Sequence, residues 1–198
     1  MANGLHYADA LAGRVFCQSA TPLGLAIPIY TATAIAGGMP IYNPPFSNRL
    51  VELISVDIAY GSGPSDYGAV GLMGLPLTGV AAGALCTAFA VPTPSNGYLL
   101  GGIPSKVQSS NAGTGTVTAG VATVPSATAP GWIRPLASIN LEAVTGTAHG
   151  VVVARFAFDG TLIVPPGTMI YLAAGRATTA LYCSAVVWKE TTINPQAG

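Results

Sequence analysis

The chain has 198 residues, with seven Lys+Arg against seven Asp+Glu, so its formal net charge at pH 7 is zero; only 7% of residues are charged and 51% are hydrophobic. Charged residues are about a quarter of an ordinary soluble domain, so this composition excludes a basic face for nucleic acid or an anionic membrane, and excludes a disordered tail. The 25 Gly and 16 Pro, spread along the whole length, exclude a helical bundle, since each mid-helix Gly costs about 1 kcal/mol and each Pro about 3.

The first residues, Met1 to Phe16, have no basic segment followed by an apolar run, and Asp9 and Arg14 interrupt them, so no signal peptide is expected. Tyr7 to Gly13 suits a single helical turn. Arg14 to Gln18 and Leu25 to Thr31 are short strand-like runs, the second broken by Pro28, which confines it to an edge or an irregular arm. Residues 1–38 are therefore expected to form an extended N-terminal arm, and 39–198 a single β-sandwich domain. Within the arm, Leu23, Leu25, Ile27, Ile29 and Tyr30 are candidates for contact with a neighbouring subunit.

Asn43-Pro44-Pro45-Phe46-Ser47-Asn48 is a turn cluster that places the start of the next strand. From Leu50 to Tyr60, Ile54, Val56, Ile58 and Tyr60 alternate with Ser55, Asp57 and Ala59, the period of a half-buried strand. The same phase puts Glu52 and Asp57 on opposite faces. Gly68 to Val91 carries no charge and includes Gly79-x-x-x-Gly83, a spacing found in packed membrane helices. Its many glycines, Pro76 and the lack of basic or aromatic flanks argue against a membrane span.

Ala84 to Val91 and Tyr98 to Leu100 are plausible strands, Lys106 to Gly115 an exposed polar loop, and Thr116 to Val124 and Trp132 to Leu141 further strands. Gly150 to Phe158 alternates apolar residues, and Asp159-Gly160 offers a tight hairpin turn with Thr161 to Val164 as the return strand. After the Pro165-Pro166-Gly167 turn come strands at Met169 to Ala173 and Leu181 to Glu190, with Tyr182, Ser184, Val186 and Trp188 on one face. About eight to ten such strands predict an all-β fold, an antiparallel β-sandwich of jelly-roll type.

Residues that carry chemistry are scarce. His6 and His149 are isolated, and Cys17, Cys86 and Cys183 are an odd, widely spaced set that reads as buried free thiols in a reducing cytoplasm. No metal motif, nucleophile elbow or dinucleotide fingerprint is present. Gly101-Gly102-Ile103-Pro104-Ser105-Lys106 lacks phosphate-loop spacing, and Pro104 removes a backbone donor. The seven carboxylates show no local pairing of the kind a glycosidase needs. No catalytic residue, cofactor or metal is expected, and the protein is expected not to be an enzyme.

Two stretches carry a resemblance. Ile41-Tyr42-Asn43-Pro44-Pro45 leading to Arg49-Leu50-Val51-Glu52-Leu53 and Ile58-Ala59-Tyr60-Gly61-Ser62-Gly63, with Val164-Pro165-Pro166-Gly167-Thr168, Tyr171-Leu172-Ala173-Ala174 and Ala185-Val186-Val187-Trp188-Lys189-Glu190, resemble small tailed-bacteriophage virion structural proteins. The Trp188-Lys189-Glu190 ending departs from the Trp-Glu-Glu of that group. The resemblance implies a β-sandwich that assembles on a virion as a homotrimer and bridges shell subunits as a capsid decoration or cement protein. Its partners would be further copies of itself and the major capsid or other virion proteins, with no nucleic acid and no membrane. It would be assembled in the host cytoplasm. The competing expectation is a fibre, spike or receptor-binding module that recognises a cell-surface glycan through exposed aromatic rings.

Overall fold

The structure, a computed structural model, describes residues 4–20, 23–30, 38–63, 68–76, 95–96, 105–109, 131–139, 153–176 and 179–193. The expected strands at 84–91, 98–100 and 116–124, as well as His149 and Cys86, lie outside the described residues. A short helix, α1 (Tyr7–Leu11), is followed by β1 (Val15–Ser19), β2 (Leu25–Ala26), β3 (Ile41–Asn43), β4 (Arg49–Ser62) and β5 (Gly68–Pro76). Then come β6 (Ser95–Asn96), β7 (Gln108–Ser109), β8 (Gly131–Ile139), β9 (Val153–Val164), β10 (Thr168–Ala174) and β11 (Leu181–Thr192).

Two antiparallel sheets pack face to face. The first, sheet A, has the order β6-β1-β11-β4-β9 with β2 also on β11; the second, sheet B, has the order β7-β3-β10-β5-β8. The all-β sandwich expected from turn spacing and strand periodicity is the fold observed.

The core between the sheets takes Phe16, Val51, Leu53, Val56, Ile58, Val186 and Trp188 from sheet A, and Ile41, Val70, Leu72, Ile170 and Leu172 from sheet B. In β11 strict alternation puts Tyr182, Ser184, Val186, Trp188 and Glu190 inward. Trp188 stacks on Phe16 of β1 with ring centroids 6.1 Å apart. Burying a side chain of this size contributes roughly 3 kcal/mol or more of transfer free energy.

The predicted phase of β4 holds only from Val56 onward. Leu53 faces Leu162 and Trp188, whereas Ser55 faces Ala157 and Val187, so Ile54 is an extra residue against β11, while β9 sets its residues 158–161 against it. A bulge of this kind reverses the side-chain phase. Val51 and Leu53 therefore share the core face with Val56 and Ile58, and Ile54 does not. As a consequence Glu52 and Asp57 lie on the same outer face, contrary to the reading from simple alternation.

A second correction concerns Asp159-Gly160. The pair adopts the positive φ angles expected, 46° and 81°. No hairpin follows: β9 continues in one direction beside β4, with Ala157 opposite Ser55 and Leu162 opposite Leu53. The positive-φ pair forms a bulge, closed by the Thr161 hydroxyl donating to the Phe158 carbonyl at 2.6 Å.

The turn before β4 behaves as its composition predicts. Asn43 is fully buried, and its amide donates to the carbonyls of Arg49 at 2.8 Å and Val164 at 2.9 Å. Its side-chain oxygen accepts from the Ser47 hydroxyl at 2.5 Å. Val107, expected in an exposed loop, is instead 3% exposed in the core. The strand β7 that follows it docks on β3.

Candidate functional site

The five residues predicted to meet a neighbouring subunit separate into three groups. Ile27 is 3% exposed within the core, so it is unavailable to a partner. Leu25 pairs opposite Tyr182, and Ile29 forms a parallel bridge with Ala174, so both are partly covered within their own fold. Leu23 and Tyr30 are exposed, at 81% and 40%. The segment around them is not free. The carbonyl of Pro28 accepts from Ala174 N–H, and Tyr30 N–H donates to the Ala174 carbonyl. With no N–H of its own, Pro28 can bond here only through its carbonyl.

Tyr30 meets a residue that sequence reasoning did not select. Its ring lies 6.2 Å from that of Trp132, at an interplanar angle of 39°. Trp132 belongs to β8 at the edge of sheet B and is 41% exposed, as is its neighbour Ile133. The indole lies flat because β5 has glycine beneath it. A Cβ built on Gly71 would sit 1.9 Å from Trp132 Cζ3, and one on Gly74 would sit 2.6 Å from Ile133 Cδ1. Gly71 is paired with Ala173, so two small residues in register make the shallow bed. Glycines inside a strand often mark such a close approach, and that was the signal available at Gly71 and Gly74.

Charge is gathered on the outer face of sheet A. The Lys189 ammonium lies 2.7 Å from Glu52 Oε2 and 3.5 Å from Asp9 Oδ2. Arg14 pairs with the other oxygen of Asp9 at 2.5 Å. The Thr191 hydroxyl donates to Glu52 Oε1 at 2.9 Å. Burial works to lower the Lys189 pKa, but the hydrogen bond and charge of Glu52, followed by Asp9, outweigh it and hold the pKa above the ordinary lysine value. The network fastens α1, through Asp9, to β11 and β4. Further along the same face Arg155 pairs with Asp57 at 3.5 Å.

Glu190 is a buried carboxylate, 3% exposed on the core face of β11. It accepts from the Ser105 hydroxyl, from Lys106 N–H at 3.1 Å and from Trp188 Nε1–H at 3.3 Å. These bonds hold the segment leading to β7 and stabilise a buried charge that would otherwise be costly.

Asp9 and Glu52 both approach Lys189, so the cation occupies the space between them. His6 stands at the N-cap position of α1 and makes no side-chain cap hydrogen bond there. Among the described residues no group of three or more His, Cys, Asp or Glu could hold a metal. Cys17 and Cys183 are thiols not joined in a disulfide and are half-buried rather than fully buried, and burial pushes the Cys17 thiol above its ordinary pKa. No helix among the described residues is long and apolar enough to cross a membrane. Comparison of the chain with protein families, curated proteins and solved structures finds no match.

Proposed function

We propose that this chain is a non-enzymatic virion structural protein of a tailed bacteriophage, acting as a homotrimeric capsid decoration or cement protein that bridges shell subunits. The observation that carries the reading is the distribution of charge. Six of the fourteen charged residues (Asp9, Arg14, Glu52, Asp57, Arg155 and Lys189) pair with one another. Large apolar side chains such as Phe46 (93%), Leu23 (81%), Leu5 (77%) and Leu11 (54%) stand exposed. A surface with little free charge and many exposed apolar groups suits contact with other protein subunits, where unpaired charges are costly to bury.

The strand order supports the same reading. β1-β11-β4-β9 in one sheet faces β3-β10-β5-β8 in the other, an order that favours the jelly-roll type of sandwich, a fold used by viral capsid and lectin domains alike. Fold alone does not define function, so the test is made on particles. Quantitative mass spectrometry of purified virions is expected to find the chain at a copy number comparable to the major capsid protein. A copy number at tail or spike level, or absence from the particle, would overturn the reading.

A further inference from the structure

We infer that the paired rings of Tyr30 and Trp132, on the outer face of sheet B, are a binding platform for a neutral saccharide. The inference stands on the geometry of the two rings and is independent of the virion reading.

Both rings lie on one face. Tyr30 N–H donates to the Ala174 carbonyl and Ala174 N–H to the Pro28 carbonyl. Ile29 therefore stands opposite Ala174, a residue of the core, and alternation turns Tyr30 to the outer side. Trp132 reaches that side from β8, because its ring lies over Gly71, which is paired with Ala173. The rings meet above this floor of two small residues, with centroids 6.2 Å apart and planes at 39°. Ile133 has no part in it, since it lies over Gly74, beside Ile170 on the core-facing side.

The open area is too small for a protein partner. A whole Tyr or Trp side chain offers roughly 150–250 Å², so at 40% and 41% exposure the two rings together present about 120–200 Å². A stable protein interface takes roughly 800 Å² from each side. Beside the rings the face is closed, for Ala173 and Met73 have no exposure and Tyr171 has 1%. What fits is a ligand the size of one or two sugar rings.

The chemistry of the rings matches such a ligand. The face of an aromatic ring is the negative pole of its quadrupole, and a sugar ring offers it C–H bonds polarised by their oxygens. The ring edges suit the sugar hydroxyls. Among the described residues neither the Trp132 indole N–H nor the Tyr30 hydroxyl has a hydrogen-bond partner, so both remain as donors. Nucleobases would stack as well, but their phosphates need cations. Arg134, the one charged residue of β8, holds its guanidinium 5.3 Å above the Phe158 ring instead. The platform is also pre-shaped: Trp132 rests on a backbone that admits no Cβ, and Tyr30 is tied down through its own N–H. Rings already held in place lose little conformational freedom on binding.

The test uses fluorescence. The chain has two tryptophans, and Trp188 has no exposure, so acrylamide quenching reads Trp132. The full chain is titrated with soluble neutral oligosaccharides of glucose, galactose, mannose and N-acetylglucosamine, and at least one is expected to shield Trp132 saturably. Tyr30→Ala keeps the reporter and is expected to weaken that binding about tenfold or more; Tyr30→Phe, which loses only the hydroxyl, should weaken it less. Trp132→Ala, followed by calorimetry with the same oligosaccharide, is expected to lose about tenfold or more as well. Cooperative unfolding verifies the fold of each variant. Phe46→Ser, at a more exposed ring in the turn before β4, is expected to bind as wild type. The inference is overturned if no oligosaccharide of the panel shields Trp132, if folded Tyr30→Ala and Trp132→Ala bind as wild type, or if Phe46→Ser loses binding too. It is equally overturned if Trp132→Ala changes the molar mass seen by light scattering while wild type binds no saccharide, which would make the rings a contact between copies.

Discussion

The two sheets treat their outer faces differently. On sheet A that face carries small side chains and paired charges, and Cys183, Ala185, Val187 and Lys189 of β11 are all only partly buried. On sheet B the corresponding face is as dry as the core. Tyr42, Met73, Leu75, Met169 and Ala173 have no exposure and Tyr171 has 1%. Their register places them together, with Met169 between Tyr42 and Leu75, and Tyr171 beside Met73. Sheet B is therefore apolar on both sides, whereas sheet A has one core face and one polar-tolerant face. The difference shows that hydrophobic content here serves two layers of packing, not one, and that the charge pairs among the described residues gather on a single face.

The contrast can be broken most forcefully by truncation. Leu75→Ala on sheet B is expected to cost about 2–5 kcal/mol, as for any fully buried leucine, although Leu75 points away from the inter-sheet core. Val187→Ala on sheet A is expected to cost about 1 kcal/mol or less. Urea unfolding of the two variants compares them directly, and equal losses would erase the distinction between the faces.

Alkaline titration probes the same contrast through protons. Burial pushes the Tyr171 pKa up from 10.0 to about 12, so its neutral form is favoured in the fold. The stability this contributes is present below pH 10 and is lost as pH rises toward 12, because the unfolded chain gives up that proton first. The loss amounts to about 3 kcal/mol. Lys189 acts with the same sign: its raised pKa contributes stability at lower pH that disappears as pH climbs through its folded value. Tyr171→Phe should flatten most of the alkaline decline in melting temperature, and Lys189→Met a smaller part. The reverse ranking would place the stronger burial on sheet A.

A smaller effect is expected at Glu190, where the core meets the edge of the sandwich. Glu190→Ala leaves Lys106 N–H and Trp188 Nε1–H without their acceptor, a loss of about 1–3 kcal/mol. Glu190→Gln keeps one acceptor oxygen and should lose less. Hydrogen exchange at Lys106 N–H reads the bond itself, and unchanged protection in Glu190→Ala would show that β7 is held by other contacts.

How much was legible depended on the element. The alternation of β11 could be read directly, because its outer face tolerates polar residues and so keeps the period visible. β10 could be placed as a strand between Pro165-Pro166-Gly167 and Gly175, but Met169 to Ala174 are buried without a break, so periodicity could not say which side faced the core. In β4 the alternation was visible while the bulge at Ile54 was not. Nothing about isoleucine marks an inserted residue; the bulge exists only in relation to Ala157 and Val187 on the neighbouring strands. Asp159-Gly160 shows the same limit, since its left-handed backbone was predictable and its use as a bulge was not.

The Tyr30–Trp132 ring contact was legible in part. Tyr30 belonged to the predicted subunit contacts, whereas Trp132 counted only as one of several scattered rings expected to pack in the core. Trp132 meets Tyr30 because β8 and the segment after β2 flank β5 and β10, a neighbourhood set by strand order across the whole chain.

The sparse and balanced charge, the all-β composition and the turn chemistry at Asn43–Asn48 and Pro165–Gly167 were determined by the sequence alone, because they depend on local preferences and on what the chain lacks. Which face of each strand is buried, how four charges from three segments converge on Lys189 and Asp9, and why a glycine must lie beneath Trp132 were decided only by the tertiary structure. Each of these is a relation between residues far apart in the chain, and close packing alone brings them within reach of one another.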